Sequence, residues 1–256
     1  MKDIQSLSDD RNMSIDRVGV KGIKYPITVL DKAKKIQHTI ADINMFVDLP
    51  HQFKGTHMSR FVEVLHQYRN EVSLQSFSKI LEEVKQQLNA KSAHIEASFP
   101  YFIEKRAPVS DASGLLDYKC HITAKSNGNN QTDILVEIKI PITSLCPCSK
   151  EISDYGAHNQ RGEVAVAVRF KEFFWMEDLI ARVEKAGSCE VYSILKRADE
   201  KQVTEQAYDN PKFVEDIVRD VALFLEEEEN FPWYSVSVEN FESIHNHSAY
   251  AYICSD

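Results

Sequence analysis

Two cysteines, Cys146 and Cys148, flank Pro147, and His158 follows ten residues after the second. Near the C-terminus His245 and His247 stand at i and i+2 in Glu-Ser-Ile-His-Asn-His. A four-coordinate borderline metal takes thiolate, imidazole and carboxylate ligands, and a catalytic site keeps one position open for water or substrate. One Cys, two His and one carboxylate from distant segments would meet that need. The plainer reading is that such pairs are packing or solvent features. Cys-x-Cys lacks the Cys-x-x-Cys spacing and the matching second knuckle of structural zinc sites, so spacing alone leaves both readings open.

Two familiar chemistries are excluded. Zinc deaminases carry His-x-Glu and Pro-Cys-x-x-Cys; here Pro147-Cys148 continues as Ser-Lys-Glu, and His158 as Asn-Gln. With eight glycines in the chain there is no Gly-rich phosphate cradle of the Walker or dinucleotide type.

The elements that must position these residues are legible from periodicity. Residues 144–161 read as a loop carried between two strands, where function tends to reside. Upstream, Ile134, Val136, Ile138, Ile140 and Ile142 alternate onto one face, pairing with a strand at 115–124 across a turn at 126–130. Further strands are expected at 17–30, 36–47, 95–103, 164–170, 233–241 and 247–253, with a short one at 189–195. Helices are expected at 61–68, after a basic loop at 51–60, and at 73–88, where Leu74, Phe77, Ile80, Leu81, Val84 and Leu88 form a stripe. Two more are expected at 176–185 and from Asn210-Pro211 onward, a cap and first-turn pair. Residues 1–16 read as a flexible arm. Each half thus runs strands, two helices, strands, giving an α+β chain with units at 17–143 and 144–256.

At 256 residues the chain can bury a sizeable core, and 43% hydrophobic with 27% charged residues is a globular composition. A net charge of −9 argues against nucleic acid or an acidic membrane as partner, though not against one anionic small molecule. There is no membrane-spanning apolar run and no signal-peptide core, so a cytoplasmic location is expected. Five cysteines without a secretion signal do not make a disulfide framework; Cys120, Cys189 and Cys254 read as buried thiols.

Longer blocks carry a resemblance. Ser144-Leu-Cys-Pro-Cys-Ser-Lys-Glu-Ile-Ser with Gly156-Ala-His-Asn-Gln-Arg161 resembles the signature loop of the type IB GTP cyclohydrolases. Lys54-Gly-Thr-His-Met-Ser-Arg-Phe61, Lys196-Arg-Ala-Asp-Glu200, Asp209-Asn-Pro-Lys-Phe-Val-Glu-Asp216 and Glu242-Ser-Ile-His-Asn-His247 are similar to further blocks in the same order. The resemblance implies tandem tunnelling-fold units, each an antiparallel sheet backed by two helices, and a homotetramer with active sites at subunit interfaces. It implies conversion of GTP and water to 7,8-dihydroneopterin triphosphate and formate, the entry to folate-type pterins.

Carried over residue by residue, it implies Cys146, His158, Glu200 and His245 as ligands of one divalent metal, zinc or manganese, with iron possible. Cys148 and His247 would be catalytic-site groups, the latter suited to general acid/base work because imidazole titrates near neutrality. Glu215 would hold guanine, accepting from both its ring N–H and its exocyclic amine. His57, Ser59 and Arg60, with Arg161 and Lys150, would meet the triphosphate. Two other readings stand beside it: a tunnelling-fold relative with a nucleophilic Cys, of the nitrile-reducing kind, and a non-catalytic zinc- or nucleotide-binding scaffold.

Overall fold

Strict alternation of apolar and polar residues builds the strands. The computed structural model describes every residue except 1–4, 6, 8, 69–73, 130 and 256. The first hairpin pairs β1 (Ile15–Asp31) with β2 (Lys35–Leu49), antiparallel from Ile15↔Leu49 to Asp31↔Lys35. Asp31 closes it by accepting from the N–H groups of Ala33 (2.9 Å) and Lys34 (2.6 Å), the local side-chain bonding that makes Asp a turn residue. A register shift between Val20 and Ile23 contains Gly22, at φ 71, where a side chain would be strained. Helices α1 (Met58–Gln67) and α2 (Leu74–Leu88) bury Phe61, Val64 and Leu65, and Phe77, Ile80, Leu81 and Val84.

Three long strands follow, β3 (Ala93–Arg106), β4 (Ser113–Ser126) and β5 (Thr132–Leu145). Then come α3 (Pro147–Ile152), β6 (Asn159–Arg169), α4 (Met176–Glu184), β7 (Cys189–Glu190), α5 (Arg197–Asp209), α6 (Val214–Glu227), β8 (Trp233–Asn240) and β9 (Ala249–Cys254). The chain divides into two compact units, residues 1–100 with 121–136, and residues 101–120 with 137–256. The division passes through β3, β4 and β5, because each of these strands is long enough to serve in both units. Strand order is β1-β2-β3-β4-β5 in the first unit and β3-β4-β5-β6-β8-β9 in the second, with β7 on β5. In the second unit Ile138, Ile140 and Ile142 of β5 are fully buried, as are Ile217, Val221 and Leu225 of α6. Each such side chain contributes about 1.5–3 kcal/mol relative to exposure.

Several expectations need correction. Residues 15 and 16 belong to β1 and not to an arm, while residues 1–4, 6 and 8 lie outside the described residues. Ser59 and Arg60 lie within α1, not in a loop. The stretch 144–161 is less loop than expected: β5 continues to Leu145, α3 starts at Pro147, and β6 begins at Asn159. The strand at 189–195 shrinks to two residues. Helix α5 was not expected; it buries only Asp199 and Ala207, so it has no apolar stripe to read. Asn210-Pro211 ends that helix and starts none: Asn210 is its C-cap, and α6 begins at Val214 with the Asp216 carboxylate accepting from Phe213 N–H at 2.9 Å. Cys254 is exposed on β9, whereas Cys120 and Cys189 are buried; burial, with Glu177 nearby, pushes the Cys120 thiol up to about 12.

Candidate active site

The connection from β5 to β6 is built to hold one cysteine against one histidine. Cys146 caps α3, its Sγ accepting from Ser149 N–H at 3.5 Å, and Pro147 occupies the first turn where a missing N–H costs nothing. Cys146 N–H donates to the carbonyl of His158 at 3.1 Å. Ser149 Oγ donates to Cys146 O and accepts from His158 N–H, both at 3.2 Å. Cys146 is half-buried and Cys148 exposed. The His158 ring, its side chain 12% exposed, directs Nδ1 to Gln160 Oε1 at 2.8 Å and, more distantly, to Glu242 Oε2 at 3.7 Å. Nε2 is therefore the nitrogen through which a ligand would be met.

The helices after β5 are knitted to the same strand end. Ser188 N–H donates to Thr143 O (2.8 Å), Leu145 N–H to Ser188 Oγ (3.0 Å) and Lys212 N–H to Leu145 O (3.1 Å). The Asn210 amide donates to the carbonyls of Gly187 (3.1 Å) and Ser188 (3.3 Å). The start of α5 is held by the fully buried Asp199. Its carboxylate accepts from Val109 N–H (2.8 Å), Ser110 N–H (2.8 Å), Ser110 Oγ (2.6 Å) and Lys196 N–H (2.8 Å). Burial alone would raise its pKa, but the bonds from Ser110, Lys196 and Val109 prevail and hold it well below the usual carboxylate range.

Comparison with known proteins decides the family. The model described as type I GTP cyclohydrolase folE2 matches residues 1–251. The GTP cyclohydrolase FolE2 of Syntrophus aciditrophicus (strain SB) is 62% identical over 253 residues, covering 99% of each chain. That of Desulfosudis oleivorans is 60% identical over 253 residues, covering 99% of this chain and 97% of its own. The chain belongs to the FolE2 family of type I GTP cyclohydrolases. Solved structures add the fold alone. Uricase from Arthrobacter globiformis superposes with a TM-score of 0.53 at 11% identity, over 94% of this chain and 92% of its own. A uricase from Bacillus fastidious gives 0.54 at 7%, over 96% and 94%. The expected tunnelling fold, with antiparallel sheet and helices, is therefore the fold of this chain.

The site residues expected from the sequence are distributed unevenly. His57, Ser59 and Arg60 belong to the first unit and the other nine to the second. His57 is the N-cap of α1, without a side-chain cap bond, and borders a cavity of about 170 Å³ with Thr56 and Arg60. The Arg60 guanidinium donates to the carbonyl of Gln87 at 2.7 Å. In the second unit Cys146 and His158 are brought together. Glu200 sits exposed in the first turn of α5, Glu215 exposed in the first turn of α6, and His245 and His247 exposed before β9, their rings stacked at 4.9 Å. Lys150 is tied to α5, its ammonium bonding the Tyr208 carbonyl and lying 4.3 Å from the ring centroid. Arg161 borders a cavity of about 330 Å³ with Lys119, Lys139, Glu163 and Phe241. Among the described residues no three His, Cys, Asp or Glu side chains are gathered as a metal group. Cys146 and His158 suit a borderline metal by donor chemistry and are joined through their backbones; Glu200 and His245 are not gathered with them.

Sequence reasoning passed over Gln160 and Glu242, which meet His158, and Lys119 and Lys139, which share the Arg161 cavity. Gln160 had a signal: it alternates with Val164, Val166 and Val168 onto the buried face of β6, an unusual place for an amide.

Proposed function

We propose that this chain hydrolyses GTP at guanine C8, releasing formate and giving 7,8-dihydroneopterin triphosphate at the start of folate-type pterin synthesis, in the cytoplasm. Membership of the cyclohydrolase family supports the reaction over the nitrile-reducing and scaffold alternatives. The observation that carries the placement is the Cys146–His158 pair, locked backbone to backbone on the β5–β6 connection.

One divalent metal, zinc or manganese with iron possible, would be held by Cys146 and His158, with Glu200 and His245 completing the set. It would supply Lewis acidity that brings the pKa of water toward neutrality for attack on a poor electrophile. Cys148, exposed on α3 two residues from Cys146, and His247, stacked on His245, would donate or carry protons at the reacting ring. Glu215, free of the helix core, accepts from the two guanine donors that adenine lacks as a pair. For the triphosphate, His57 and Ser59 stand at the N-terminus of α1, a natural anion site. Arg60, Arg161 and Lys150 add positive charge, the two arginines through a planar fork of donors that matches phosphate oxygens.

Homotetrameric assembly with interfacial sites is part of the same proposal. β9 ends the strand order of the second unit with β8 as its neighbour, and Tyr250 and Tyr252 are exposed on it. Such an edge is normally covered.

The test is GTP turnover by metal-stripped protein with zinc, manganese or iron restored, read as formate release and fluorescence of the oxidised pterin. Activity that returns with metal supports the proposal. A folded protein that releases no formate with any of the three overturns it.

A further inference from the structure

Three polar side chains are buried side by side in the second unit where apolar ones would pack. Ser144 of β5, Gln160 of β6 and Asn240 of β8 are 0%, 7% and 2% exposed. Ser144 Oγ accepts from Gln160 Nε2 at 2.9 Å and from Asn240 Nδ2 at 2.7 Å. The row is built to close tolerance. Gly162 pairs with Asn240 across β6 and β8, and a Cβ there would collide with Asn240 Oδ1 and come within 3.3 Å of Ile142 Cγ1. Burying polar groups is unfavourable unless they are bonded, and a bonded network rigidifies what it touches.

What this network touches is His158. With its nitrogen committed to Ser144, the Gln160 amide turns Oε1 to His158 Nδ1 at 2.8 Å. An amide oxygen only accepts, so Nδ1 must carry the proton of the neutral ring. Glu242 points the same way independently, because its Oε2, 3.7 Å from that nitrogen, also favours a proton there. The lone pair is then on Nε2.

We propose that Gln160, oriented by Ser144 and Asn240, is a positioning residue that fixes His158 in the Nδ1–H tautomer and presents the Nε2 lone pair as a ready-made ligand. Metal-binding histidines elsewhere are set in this way by a partner on the other ring nitrogen. A neutral amide does so without adding a formal negative charge at His158. The tautomer assignment stands on geometry alone; its use in metal binding rests on the function proposed above.

Long-range ¹H–¹⁵N correlation on the full chain, ¹⁵N-labelled at histidine and freed of metal, reads the tautomer directly. The wild type should show His158 protonated at Nδ1 and not at Nε2. Gln160→Leu should weaken that bias, leaving only the more distant Glu242 at Nδ1, and Gln160→Glu, which keeps an acceptor in place, should retain it in full. Zinc affinity, measured by chelator competition, should fall about 10–100-fold in Gln160→Leu and recover in Gln160→Glu. A proton on Nε2 in the wild type overturns the proposal, and that measurement needs no variant to fold. Unchanged zinc affinity in a folded Gln160→Leu also overturns it. If the tautomer and zinc results hold but no formate is released from GTP, the function reading fails and this one stands. If turnover is normal but the proton sits on Nε2, this one fails alone.

Discussion

Cys146 N–H donates to the carbonyl of His158 at 3.1 Å, so two residues twelve positions apart are joined by main chain, and Ser149 Oγ bridges them by donating to Cys146 O and accepting from His158 N–H. A site anchored through backbone survives loss of a side chain, which separates chemistry from folding. Cys146→Ala should abolish stoichiometric zinc binding and lower kcat/KM by more than the roughly 10–100-fold typical of an outer-shell change. Its stability should fall by only about 1 kcal/mol, the loss of the α3 cap. Zinc content, turnover and urea unfolding of one preparation check all three.

Glu215 should act on substrate binding and leave the chemical step nearly untouched. Glu215→Gln replaces a charged acceptor by a neutral one, a loss of about 1.5 kcal/mol that reads as a roughly tenfold rise in KM for GTP. The preference for GTP over ITP, which lacks the exocyclic amine, should shrink in the variant. Steady-state kinetics with both nucleotides decide it.

Lys105 is buried between two carboxylates, 2.8 Å from Glu184 and 2.7 Å from Glu190, with Tyr118 OH also donating to Glu184 at 2.7 Å. Lys105→Met strands Glu184 without its cation and should destabilise the fold by about 3–5 kcal/mol near neutral pH. Burial already raises the Glu184 pKa despite Lys105, so the folded state takes up this proton more readily than the unfolded chain. Stability from this group therefore falls as pH rises through the folded pKa. The variant should lose less stability at pH 5 than at pH 8, and Glu184→Gln in the same chain should restore part of it.

Asp199 has the opposite sign. Its folded pKa is held low, so its contribution is present above the unfolded value and disappears as pH falls below about 4 toward the folded value. Asp199→Asn should lower Tm by about 5 °C at pH 7, and the gap from wild type should narrow as pH drops from about 4. Because Asp199 fixes the start of α5, the same variant should weaken zinc binding if Glu200 is a ligand.

Much of this was written into local periodicity. The alternation from Ile134 to Ile142 required a buried strand, and Val136, Ile138, Ile140 and Ile142 are indeed fully buried. The stripe of Phe77, Ile80, Leu81 and Val84 required an amphipathic helix, and long, ordered motifs identified the family. Helix α5 was hidden because its faces are almost all polar; only Asp199 and Glu200 in its first turn hinted at a start. The Asn210-Pro211 pair misled because proline follows a helix end as readily as it opens a helix.

The sequence by itself determined the buried faces of the strongly periodic elements, and the family. Only tertiary structure decided that Ser144, Gln160 and Asn240 form one buried row aimed at His158, and that Glu242 joins them. Periodicity reports how a single strand meets the core. Which polar atoms touch depends on the register between strands far apart in the chain, and a one-residue slip would send every side chain to the other face.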